Sequence, residues 1–337
     1  MGVYSLSFGI KSFKVNIFGG FFGIFVIYHH YNHMLKLQTL VTDMPCKVGI
    51  SYDDKIMMLG SCFSDNIGRE LQNLGFDVMV NPFGTLYNPI SILNSVKRLI
   101  SGELFAEEDC VQIGAGDERW CSFCHHTSFA CPSKEEFLAL ANSELLRARE
   151  HYMKCSKVII TLGTSWCFRH VESGQTVSNC LKHVPKEFAR YRLSVNETAE
   201  ALRWITGAGN GLVGCVPKQF IFTVSPIRHF KDGAHGNQIS KSALLLGIEE
   251  FLEGCPADLS LDPFHIADYF PAYEIVMDEL RDYRFYAEDM CHPSQQTVNY
   301  ILERFLSWAL PASEHPLLQE SIRRFKQSSH IRPLQGR

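Results

Sequence analysis

The sequence predicts an α/β sandwich with a mostly parallel sheet. Four short apolar runs, at 56–59, 76–80, 158–162 and 220–224, read as buried strands. Segments with helical spacing, each about a dozen residues long, separate them. Each strand-like run ends in turn-forming or polar residues: Gly60-Ser61-Cys62, Asn81 to Thr85, Gly163-Thr164-Ser165 and Ser225-Pro226-Ile227-Arg228-His229. Ligands of open α/β sheets gather at the C-terminal strand ends, so this shared placement marks a candidate site.

Taken in order, residues 34–52 read as an extended lead-in to the first strand. A helix over 64–74 puts Ile67, Leu71 and Leu74 on one face, and Gly75 is placed to end it. After the strand at 76–80, Asn81-Pro82-Phe83-Gly84-Thr85 is dense in turn residues. Asn88-Pro89 opens a helix through residue 100, with the proline in the first turn, where its missing N–H does no harm. Residues 114–129 read as loop and short strand. Ser133-Lys134-Glu135-Glu136 forms a capping box for a helix to residue 154. Further helices are expected over 194–205 and 240–252, and a fifth strand, or its approach, at 272–277. Pro293-Ser294 opens a last helix through 310, followed by a polar, peripheral tail from His315. No internal repeat interrupts the pattern.

Composition narrows the function classes. The 337 residues are 46% hydrophobic and 20% charged, with a net charge of −4. That is ample for a large core. It argues against a nucleic-acid binder, which needs a concentrated basic surface. Twelve cysteines are scattered along the chain without the spacing of a disulfide framework, so a cytoplasmic location is expected. Cys121 and Cys124 form a C-x-x-C pair near His125, His126 and Cys131, but no second pair at finger or ribbon spacing accompanies it. Buried apolar thiols are the expected reading, with no metal or organic cofactor. The apolar run at 18–28 is short for a membrane span and lacks a small-x-small cleavage site. Stable membrane insertion is not expected. Residues 1–33 read as a signal-like segment or as an extension before a true start at Met34.

Several residues suit nucleophilic acyl chemistry. Ser61 or Cys62, on a turn between strand and helix, sits where backbone N–H groups converge. The alternative is a tight turn with a helix cap. His292 is the base candidate, with Asp289 three residues before it to fix the tautomer of the ring. The alternative is a loop histidine near a helix start. His229, His183 and His126 are weaker base candidates. Arg228 suits an anionic substrate group, although a surface ion pair is the commoner use of such a residue.

Four stretches resemble the GSCFA-domain family, which is placed with the SGNH/GDSL-like hydrolases. They are L-G-S-C-F-S at 59–64, N-P-F-G-T-L-Y-N-P at 81–89, S-P-I-R-H at 225–229 and the run from P-A-Y-E-I-V to E-D-M-C-H-P-S at 271–294. The resemblance spans 34–310. It implies a single three-layer α/β/α domain of flavodoxin-like type, with 1–33 as a doubtful extension and 311–337 as a tail. Carried over from the wider group, Cys62 takes the nucleophile's register and Ser61 lies one residue off it. Gly84 matches a backbone oxyanion donor. Ser165 stands where the group has an asparagine donor, a departure that puts esterase efficiency in doubt. Asp289 and His292 match the Asp-x-x-His block, and Arg228 and His229 lie on the substrate side. The implied function is ester or acyl hydrolysis of a small molecule or acylated carbohydrate. The alternatives are acyl transfer, or a ligand-binding domain that kept the fold and lost efficient catalysis.

Overall fold

The computed structural model describes residues 3–8, 11–16, 38–42, 46–208, 213–254 and 267–330. Residue contacts divide the chain into two units, Met1–Thr39 and Leu40–Arg337. In the first, Val3–Phe8 and Lys11–Asn16 pair as an antiparallel hairpin. The apolar run at 18–28 lies outside the described residues.

The second unit is built on five parallel strands. These are β1 (Lys55–Gly60), β2 (Asp77–Val80), β3 (Lys157–Leu162), β4 (Gln219–Val224) and β5 (Ala267–Tyr269). Their order across the sheet is β2-β1-β3-β4-β5. This is the doubly wound order in which the crevice lies between β1 and β3, where the winding reverses. Helices α1 (Cys62–Asn73), α2 (Pro89–Ser101), α3 (Lys134–Lys154), α4 (Val195–Ala208), α5 (Gly233–Glu253), α6 (Gln295–Ala309) and α7 (His315–His330) complete the unit.

Side-chain alternation along the strands makes the three layers. Met57, Leu59, Ile160 and Phe222 face one way, onto Ile92 and Val96 of α2, Phe137 of α3, Leu202 of α4 and Leu244 of α5. Ile56, Met58, Ile159 and Ile221 face the other way, onto Ile67 and Leu71 of α1 and Ile301 and Phe305 of α6. Both faces are covered, so β1, β3 and β4 read as continuous apolar runs rather than alternating ones.

Both N-cap residues act as expected: Asn88 Oδ1 accepts from Ser91 N at 2.9 Å, and Ser133 Oγ accepts from Glu136 N at 3.1 Å, one half of the expected capping box. Two expectations need correction. The fifth strand is Ala267–Tyr269, and residues 272–280 are helical, with a π-helical stretch at Ile275–Leu280. A short apolar run buried on several sides cannot be told from a strand by periodicity alone. Helix α5 begins at Gly233, ahead of the apolar pattern, through the polar stretch Gly233–Gln238. The tail is peripheral, as expected, and forms α7, with Leu318 and Ile322 against the α1/α6 layer. Trp166–His170, Thr176–Val177 and Phe188–Arg192, for which no element was expected, pair into a small antiparallel sheet. Among the described residues no helix is long and apolar enough to cross a membrane.

Candidate active site

The turn after β1 is shaped by a glycine. Gly60 has φ 145°, and a Cβ there would lie 2.2 Å from the Thr161 carbonyl oxygen of the neighbouring strand. Only glycine fits this close crossing. Ser61 follows as the N-cap of α1, and its Oγ accepts from Phe63 N at 3.3 Å. Ser61 is 1% exposed, whereas Cys62, the first helical residue, is partly exposed. Burial, then the nearby Asp65 carboxylate, pushes the Cys62 thiol up to about 11.

The loop after β2 clamps this turn. Asn81, in the left-handed region at φ 42°, accepts from Gly60 N through Oδ1 at 2.8 Å and donates through Nδ2 to Asp65 Oδ1 at 2.7 Å. Burial raises the Asp65 pKa. Leu86 N donates to Gly60 O, and Tyr87 O accepts from both Gly163 N and Thr164 N, each at 2.8 Å. Ser61, Tyr87 and Gly163 are thus packed together at the ends of β1 and β3.

Two expected oxyanion donors are engaged elsewhere. Gly84 N donates to Asn81 O at 2.8 Å, closing the turn, and a Cβ on Gly84 would meet His126 Cβ at 2.3 Å. Ser165 is fully buried, with its N–H and hydroxyl on Ser240 Oγ at 2.8 and 3.2 Å. The Cys62 N–H, at the N-terminus of α1, has no backbone acceptor among the described residues. It is the donor best placed to meet an oxyanion.

The loop before α6 holds Asp289 and His292 against one another. His292 Nδ1 meets Asp289 Oδ2 at 2.5 Å, while Asp289 Oδ1 accepts from the N–H groups of Cys291 and His292, both at 2.9 Å. Those donors, the His292 backbone first, hold Asp289 down to about 2. The carboxylate is thus ionised at neutral pH and fixes the ring so that Nε2 is its free nitrogen. Both side chains are about half exposed, 48% and 49%. Among the described residues no hydrogen bond joins His292 to Ser61 or Cys62.

The His229 ring meets Tyr87 edge-on at 6.2 Å between centroids, and among the described residues its buried Nε2 has no hydrogen-bond partner. Burial, then the charge of Lys241, lowers it to about 4, so it is neutral at pH 7. Arg228 ties the strand end to the Asp289–His292 loop, with its N–H on Cys291 O at 3.1 Å. The other two histidines serve as braces. His183 engages Glu187 and Gln112 O, each at 2.7 Å, and His126 Nδ1 meets Ser128 Oγ at 3.1 Å.

Lys241 escaped the sequence reading. Fully buried, its Nζ donates to Gly163 O and Ser225 O, both at 2.6 Å, and so bridges the ends of β3 and β4. Burial pulls it down to about 7, opposed by the nearby Cys62. The signal was a lysine in an apolar stripe: Lys241, Leu244, Ile248 and Phe251 recur at helical spacing. Among the described residues no three His, Cys, Asp or Glu side chains gather as metal ligands. His125 is packed instead among Phe83, Phe105, Phe129 and Phe137.

A doubly wound sheet with Gly-Ser-Cys at the first strand end and Asp-x-x-His before the last core helix agrees with the family comparison. The GSCFA family model matches residues 55–305, and the chain belongs to the GSCFA family. No curated protein matches the sequence.

Proposed function

We propose that the chain is an SGNH-like acyl hydrolase acting on a small-molecule or carbohydrate ester. The observation that carries this reading is the Asp289–His292 pair, tautomer-fixed and partly open to solvent, on the loop that Arg228 ties to the β4 end. In the proposed reaction His292 Nε2 takes the Cys62 proton as Sγ attacks the ester carbonyl. The oxyanion is received by the Cys62 N–H at the positive end of α1. Collapse breaks the C–O bond, and the alkoxide leaves with the proton from His292. Water, deprotonated by the same nitrogen, then hydrolyses the thioester and restores the thiol. Exposure favours Cys62 over Ser61, whose hydroxyl caps the helix. His292 must come within hydrogen-bond reach of the thiol in the substrate complex, as catalytic contacts commonly tighten on binding.

A second reading has its own support. With Gly84 N and the Ser165 hydroxyl engaged, and no His292 bond to the turn, a ligand-binding domain without efficient catalysis fits the same residues. Turnover of short acyl esters and acetylated sugars separates the two. Hydrolysis that falls at least about a hundredfold in His292→Ala supports the enzyme. Equal turnover by both proteins removes it.

A further inference from the structure

A cavity of about 310 Å³ opens beside the acid–base loop rather than over Ser61 and Cys62. It shares Arg228 with that loop. The Arg228 guanidinium lies 4.4 Å from the Phe230 ring and 5.6 Å from each of the Tyr283 and Tyr286 rings. Its hydrogen bond to Met290 O is long, at 3.4 Å, and among the described residues it makes no ion pair with a carboxylate. Arg281 and Asp282, on the rim, are already opposed by Asp278 and Arg284. Arg228 is therefore a planar cation, held by aromatic faces, with most of its N–H fork unmatched. That arrangement suits bidentate receipt of a carboxylate or phosphate.

The rest of the wall is amphipathic. Tyr273 donates through its hydroxyl to Gln238 Oε1 at 2.7 Å, and Tyr283 is 65% exposed at the mouth. Aromatic faces with amide and hydroxyl groups at their edges match a pyranose, apolar on its C–H face and polar around its rim. The wall is also built unusually. Arg281 N bonds Val276 O at 3.0 Å, an i to i+5 contact, and Arg281 is left-handed at φ 48°. Such π-helical turns occur often at functional sites.

We propose that this cavity binds an acidic sugar, a saccharide unit whose carboxylate or phosphate Arg228 receives while the rings cover its face. Its place as part of the substrate rests on the hydrolase reading, but the binding does not. The test is calorimetric titration of the full chain with glucuronate, glucose 6-phosphate, glucose, inorganic phosphate and benzoate. Glucuronate or glucose 6-phosphate is expected to bind at least about tenfold tighter than glucose. Arg228→Gln should abolish that preference, with Arg228→Lys intermediate. Tyr283→Ala, at an exposed position, should weaken both acidic sugars. Failure of both acidic sugars to bind overturns the proposal, as does equal binding of glucose. An unchanged preference in Arg228→Gln that melts like wild type also overturns it. Inorganic phosphate matching glucose 6-phosphate, or benzoate matching glucuronate, overturns the sugar assignment. Acidic-sugar binding without esterase turnover would sink the hydrolase reading and leave the subsite standing. Turnover without acidic-sugar binding would do the reverse.

Discussion

Burial keeps the Cys62 thiol protonated. With its pKa pushed up to about 11, roughly one molecule in ten thousand carries a thiolate at pH 7. Iodoacetamide is therefore expected to label Cys62 slowly at neutral pH and faster as pH rises toward 11, read by peptide mass spectrometry. Fast labelling at pH 7 would mean that the thiol is already activated. Asp289 behaves in the opposite sense. Its folded pKa, about 2, lies below the ordinary 3.8, so its contribution to stability is present above 3.8 and is lost as pH falls through about 2. Asp289→Asn should accordingly be less stable than wild type near neutrality and match it near pH 2 in denaturant titrations. The contact of Asp289 with His292 Nδ1 was legible from a three-residue spacing. That Ser165 faces Ser240 and not the crevice was not, because the partner lies 75 residues away on another helix.

The turn after β1 depends on Gly60. Gly60→Ala places a methyl group against the Thr161 carbonyl in a backbone region closed to L-residues, and should cost about 3 kcal/mol or more in chemical denaturation. Lys241 ties two strand ends together. Lys241→Met leaves two buried carbonyls without donors and should cost about 3 kcal/mol. Its folded pKa, near 7, lies below the ordinary 10.5. The burial cost is fully present below pH 7 and is relieved as pH rises toward 10.5, a slope that Lys241→Met should remove. The helix carrying Lys241 was legible from its apolar stripe, but its first turns were not. Gly233 and Gly236 there offer no apolar face to read. The stretch at 272–280 misled because Ile275 and Val276 favour strands, while burial against α6 decided for helix.

At the scale of the whole molecule, the parallel sheet follows from the chain alternating strand and helix, and its central strands β1, β3 and β4 are buried on both faces. That alternation made the parallel sheet and the site-bearing edge readable in advance. The small antiparallel sheet at Trp166–Arg192 was not readable, because its strands are short and exposed and carry no clean alternation. The sheet brings Gly60-Ser61-Cys62 and the β4 end to one edge, and Arg228 ties the Asp289–His292 loop to that edge. The proposed chemistry depends on His292 then closing onto Cys62. The most direct measurement is mass-spectrometric mapping of the acyl group after brief exposure to an activated acyl ester. The account predicts a thioester on Cys62, formed at least about a hundredfold more slowly in His292→Ala. An acyl group on Ser61, on neither residue, or on Cys62 at the same rate in His292→Ala would contradict it.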